Sequence, residues 1–102
     1  MSGQALQWES QGEGRFRVRG TLTFETALAA HASGERSLAT SSSKVVTLDC
    51  SGIGASDSAG LAVLLEWVAI ARARGIELRC QSLPESLLRL ARISDVEAFI
   101  SA

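Results

Sequence analysis

Asp57-Ser58-Ala59-Gly60-Leu61 decides how this chain is read, because it stands where an apolar run of strand type gives way to a long run of helical type. Upstream, Lys44-Val-Val-Thr-Leu-Asp-Cys50 has the β-branched, apolar character of a buried strand. Downstream, residues 59–74 hold no proline and no glycine after Gly60, which predicts a helix. Asp57 is placed to cap that helix: its carboxylate accepts N–H groups that the first turn leaves unpaired and meets the positive end of the helix dipole. Ser58 then becomes the first helical residue, with a reachable hydroxyl. Gly60 withholds a side chain where another backbone can approach.

Working outward, Leu6 and Trp8 alternate with Gln7 and Glu9, and Phe16 and Val18 alternate with Arg15, Arg17 and Arg19. Two short strands with one wet face are expected, joined by the turn Gln11-Gly-Glu-Gly14. Thr23 or Thr26 is placed to cap a helix through Ala27-Leu28-Ala29-Ala30, and the Ser/Thr/Gly-rich stretch Ser33–Ser43 reads as a mobile loop. Ile76, Leu78 and Cys80 alternate with Glu77 and Arg79 in a further half-exposed strand. Pro84 pre-sets the first turn of a helix bearing Leu87, Leu88, Ala91 and Ile93, which Ser94-Asp95 ends before a short helix through Phe99. The expected order is β-β-α-β-α-β-α-(α). Polar faces on three strands predict an α/β, two-layer domain, with a mixed sheet covered by helices on one face. A chain of 102 residues is read as one domain, 1–102.

At about 100° per residue, Leu61, Leu64, Leu65 and Val68 gather on one side of the central helix as its core stripe. Val63, Trp67 and Ile70 fall on the opposite side, flanked by Ala59 and Arg74. Either neighbouring helices cover Trp67, or the stripe is a partner surface, since aromatic residues with Arg are enriched at interface centres. The candidate partner-binding set is Ser58, Ala59, Gly60, Val63, Trp67, Ile70 and Arg74.

Composition removes several function classes. Ten basic and eleven acidic residues nearly cancel, so no general field attracts nucleic acid or anionic lipid. The start, residues 1–8, lacks a basic patch followed by an apolar run, and the densest apolar stretch is broken by Glu66, Arg72 and Arg74. A cytoplasmic protein without membrane insertion is expected. Cys50 and Cys80 lack C-x-x-C spacing and read as buried free thiols, and His31, the single histidine, reads as a solvated surface residue rather than a metal ligand. No base lies near Ser58 in sequence to activate it, and Gly52-Ile-Gly54 lacks the spacing of a phosphate loop. No catalytic residue, metal or cofactor is expected.

Phe16-Arg-Val-Arg-Gly20-Thr-Leu22, Val45-Val-Thr-Leu-Asp49 and Asp57-Ser-Ala-Gly-Leu61 resemble the STAS domain family over nearly the whole chain. The resemblance implies protein binding rather than catalysis, and it makes Ser58 the regulatory or phosphorylatable position. Gly20-Thr-Leu-Thr-Phe-Glu-Thr26, Leu61-Ala-Val-Leu-Leu-Glu-Trp67 and Leu83-Pro84 with Leu87-Leu-Arg-Leu-Ala91 are most similar to the STAS subunits of phospholipid ABC transporters. That likeness implies an ABC transporter ATPase subunit as partner, in a complex with permease and substrate-binding subunits, peripheral to the inner membrane. The alternative is an anti-sigma factor antagonist-type switch controlled at Ser58. Those antagonists often carry an acidic residue after the second strand's Gly-x-Leu, where this chain has Thr23-Phe24.

Overall fold

A computed structural model describes residues 6–100. Residues 1–5 of the start read above lie outside that range. β1 (Gln7–Gly12) and β2 (Arg15–Leu22) form an antiparallel hairpin with Trp8 opposite Val18 and Ser10 opposite Phe16. The chain crosses through α1 (Ala27–Thr40) to β3 (Val45–Ser56), parallel to β2, and through α2 (Ser58–Ala73) to β4 (Glu77–Gln81), parallel to β3. α3 (Glu85–Ile93) and α4 (Glu97–Ile100) complete a fold whose four-stranded mixed sheet runs β1-β2-β3-β4.

Period-two alternation explains why only one face of this sheet is covered. Glu9, Arg15, Arg17, Arg19, Glu77, Arg79 and Gln81 are exposed on one side, whereas Trp8, Val18, Val46, Leu48, Cys50 and Cys80 are buried on the other. The helices pack on the apolar side, and α2 lies among them. Leu61, Leu64 and Val68 are buried as the first stripe requires, and Leu65 is half-buried.

Two boundaries depart from expectation. The Ser/Gly-rich stretch from Ser33 to Thr40 is not a loop but the second half of α1; only Ser41–Ser43 connects it towards β3. Gly34 explains this, because a Cβ there would overlap the Trp67 indole nitrogen and lie within 2.7 Å of its Cδ1 and Cε2. Ser33, also buried, accepts the Trp8 N–H at 3.1 Å. A glycine inside a helix costs about 1 kcal/mol, whereas a buried large side chain contributes roughly 1.5–3 kcal/mol, so packing overrides the weak helical propensity.

β3 also runs on past Cys50 to Ser56. Gly52 and Ile53 pair in register with Arg19 and Gly20 of β2, so Gly52-Ile-Gly54 belongs to the sheet rather than to a loop. Strand β3 thereby delivers the chain directly to Asp57.

Candidate functional site: the amino end of α2

Strands β2, β3 and β4 are parallel, so their carboxyl ends meet at one end of the sheet, where α2 begins. Asp57 leaves β3 in an extended conformation, φ −145° and ψ −170°, and its Oδ1 accepts the Gly60 N–H at 3.0 Å. This is the expected N-cap. Its other oxygen, Oδ2, accepts the Phe24 N–H at 3.0 Å, and its own N–H donates to the Leu22 carbonyl at 3.3 Å. One residue therefore ties α2 to both the end of β2 and the loop that follows it. Gly60 makes the approach possible: a Cβ there would overlap the Leu22 carbonyl oxygen and meet Leu22 C and Cγ at 3.0 Å.

The Phe24 N–H is the largest cause holding the Asp57 carboxyl below its ordinary value of 3.8; the Gly60 and Ala59 N–H groups add to it, and desolvation opposes them. A carboxylate with a depressed folded-state pKa contributes stability above its unfolded value and loses it as pH falls through the folded one. In an acid titration, the Phe24 amide resonance is therefore expected to begin moving as pH drops below 3.8. A Phe24 amide indifferent to pH over that range would contradict the clamp.

Ser58 is exposed, Ala59 half-buried and Gly60 buried, so the hydroxyl alone faces outward at the helix start. Around it lie groups that periodicity did not single out. Phe24, on the β2–α1 connection that Asp57 holds, is 80% exposed, and Leu28, in the first turn of α1, is 89% exposed. Phe24 precedes α1 and Leu28 is its second residue, and the structure shows both in solvent. The start of α3 reaches the same end, where the Ser56 and Ser86 hydroxyls are 3.0 Å apart.

Thr26, expected as a possible helix cap, occupies the N-cap of α1 without capping it through its side chain. Its Oγ1 accepts the Thr23 N–H at 3.0 Å and donates to the Thr21 carbonyl at 2.8 Å instead. The hydroxyl serves the corner, not the helix.

The proposed stripe along α2 needs correction. Val63 is 6% exposed and Trp67 0%. Trp67 packs edge-on against Trp8, with ring centroids 5.1 Å apart, and against Gly34, so α1 and β1 cover the side of α2 that one sheet leaves free. Ile70 is half-buried against the same core. Arg74 is exposed but caps the far end of α2. A helix rises about 1.5 Å per residue, so the 16-residue α2 sets Arg74 about 24 Å from Ser58. Of the candidate residues, Ser58, Ala59 and Gly60 cluster at the helix start; Arg74 instead lines a cleft with Leu38, Ser41, Ser43 and Lys44.

Cys50 and Cys80 are free and buried, and the neighbouring Cys80 thiol together with burial pushes the Cys50 thiol up, away from the thiolate. His31 is partly exposed, with Nε2 3.8 Å from Glu66. Among the described residues no group of His, Cys, Asp or Glu is arranged to hold a metal ion, and no helix is long and apolar enough to cross a membrane.

A mixed four-stranded sheet with helices on one face, offering a capped helix start at the carboxyl ends of its parallel strands, defines a STAS-type domain. The chain belongs to that family: the family model described as Mlab, STAS domain, matches residues 6–101. STAS domains are generally non-catalytic.

Among solved structures, the anti-sigma factor antagonist SpoIIAA in its unphosphorylated form is similar at 13% identity and a TM-score of 0.72, over 94% of this chain and 85% of that one. The murine anion transporter Slc26a9 in its inward-facing state is similar at 14% identity and a TM-score of 0.58, over 95% of this chain but 18% of the transporter. At these identities the likeness describes the fold. Among curated proteins no sequence match was found.

Proposed function

We propose that this chain is a non-enzymatic, cytoplasmic subunit that binds the MlaF-like ATPase of a phospholipid ABC transporter. It supports assembly and activity of that complex in maintaining outer-membrane lipid asymmetry, and sits peripheral to the inner membrane through its partner. The observation that carries the reading is the exposed Ser58 at a capped helix start, with Phe24 exposed on the connection that Asp57 clamps and Leu28 exposed in the first turn of α1. The Mlab description of the matching family model supports the choice of partner.

Ser58→Asp tests this proposal. A carboxylate at the first turn interacts favourably with the helix dipole, so the free protein is expected to keep its melting temperature within a few degrees. At a desolvated contact the same charge is unfavourable, and affinity for the purified ATPase subunit is expected to fall by about tenfold or more, about 1.4 kcal/mol. Co-purification of the variant at wild-type yield would count against this docking site.

A second reading follows from the accessibility of the same hydroxyl: a partner-switching regulator whose affinity changes when Ser58 is phosphorylated. A phosphate there would lie beside the Asp57 carboxylate and disturb a fitted contact. Mass spectrometry of the Ser58 peptide from the native host, combined with identification of co-purifying proteins, separates the readings. An ATPase with unmodified Ser58 supports the first, and a kinase with phosphorylated Ser58 supports the second.

A further inference from the structure

Docking at Ser58 leaves Arg74 and the run Ser41-Ser-Ser-Lys44 without a role, yet the fold brings them together. Residues 41–44 link α1 to β3, Arg74 ends α2, and both line one cleft of about 490 Å³. The cleft lies at the opposite end of α2 from Ser58, about 24 Å away by the helix rise.

Both cations of the cleft are free of carboxylates. Lys44 and Arg74 are exposed and neither forms an ion pair among the described residues, whereas Arg19, Arg79 and Arg92 each pair with a glutamate. Among the described residues no Asp or Glu lines the cleft. Ser41, Ser42 and Ser43 add hydroxyls, and Ser41 Oγ accepts the Ser43 N–H at 3.2 Å, which leaves its own proton to donate. The chain as a whole has a net charge of −1, so this gathering of positive charge and donors is local.

α1 and α2 both end here, and the negative ends of their dipoles oppose an anion by about half an elementary charge each. Two full positive charges outweigh them. The backbone also answers the helix ends directly: the Leu38 carbonyl accepts the Ser41 N–H at 3.3 Å, the Ala71 carbonyl accepts the Arg74 N–H at 3.0 Å and the Ile76 N–H at 2.8 Å, and the Arg72 carbonyl accepts the Gly75 N–H at 3.0 Å. With those carbonyls already bonded, the side chains set the sign of the cleft.

We propose that this cleft binds the phosphate of a phosphate ester, either a soluble one or a lipid headgroup. The Arg74 guanidinium supplies a fork that matches two phosphate oxygens, Lys44 supplies a point charge, and the serine hydroxyls supply neutral donors. Sites for small molecules run from roughly 300 to 1,000 Å³, so the cleft has room for the organic part of the ester against Leu38 and Ile76, which are buried and apolar. Occupancy at this end of α2 does not compete with docking at Ser58, so the inference stands apart from the ATPase-binding reading.

The test uses the free protein. Glycerol 3-phosphate is titrated at fixed ionic strength while backbone amide resonances are followed, and co-sedimentation is measured with vesicles of phosphatidylglycerol in phosphatidylcholine. Saturable shifts are expected at the Ser42, Ser43, Lys44 and Gly75 amides. Lys44→Gln combined with Arg74→Gln is expected to keep Tm and to weaken binding at least about tenfold. Arg89→Gln removes an exposed charge outside the cleft and is expected to bind as the wild type.

Saturation by glycerol 3-phosphate supports the proposal with a soluble ester as ligand. Vesicle binding that the double substitution abolishes, without saturation by the soluble ester, supports it with a lipid headgroup. Absence of both overturns it. Binding that survives the double substitution, or that falls equally in Arg89→Gln, also overturns it, because either result reports diffuse surface charge instead of a site. No ATPase enters the experiment, so failure of the docking reading leaves its outcome intact.

Discussion

Trp67→Ala is expected to lower the unfolding free energy by about 3–5 kcal/mol, the usual cost of removing a buried Trp and leaving a cavity. The side chain is fully buried, meets the edge of Trp8 with centroids 5.1 Å apart, and fills the space that Gly34 leaves open in α1. Its indole N–H meets no acceptor among the described residues, so it is held by shape and apolar burial. A domain of this size has a total stability of roughly 5–15 kcal/mol, so the change removes a large share of it and drops Tm by at least about 10 °C. Urea unfolding of the free protein checks this. A variant of wild-type stability that merely lost its partner would restore Trp67 to the surface and contradict the packing described here.

Gly60→Ala is expected to be the next most damaging change, although alanine is the better helix former. The propensity gain is about 0.8–1 kcal/mol, and it opposes a new Cβ that would overlap the Leu22 carbonyl oxygen. Overpacking costs about 1–3 kcal/mol, and here the obstacle is backbone of β2 rather than the movable end of a side chain, so the steric term wins. α2 cannot back away without lengthening the Asp57 N–H bond to Leu22, already 3.3 Å, and without drawing the Asp57 carboxylate off Phe24. A net loss of about 1–2 kcal/mol is expected, with faster exchange at the Phe24 amide. A neutral or stabilised variant would show that α2 is not pinned to the end of β2.

These two outcomes mark different kinds of information. Gly60 was legible in the sequence as a close-approach position, because a glycine in the first turn of an otherwise unbroken helix needs a reason. Its partner, the Leu22 carbonyl, was not, since the two lie far apart in the chain. For Trp67, periodicity identified an apolar stripe opposite the sheet-facing one but left core and interface both open. The deciding element was the second half of α1, and its Ser33-Gly34 pair read as a loop because local propensity carries no record of an indole waiting to fill the gap left by a missing Cβ.

The candidate site divides in the same way. Asp57, Ser58 and Gly60 declared themselves through cap chemistry, and the STAS-type order of elements followed from strand alternation and the helix start. Phe24 and Leu28 did not, because exposure of an apolar side chain depends on what the fold packs over it. Arg74 stands at the far end of α2, away from Ser58.

By itself, then, the chain determined what depends on near neighbours: which segments alternate, where α2 starts, and which residue caps it. Those are properties of backbone hydrogen bonding and side-chain period within a few residues. The tertiary structure alone decided that Trp67 is core, that Asp57 also holds Phe24, and that Phe24 and Leu28 stay in solvent. Each of these depends on segments distant in sequence being brought into contact, and burial is a property of that contact rather than of the residue.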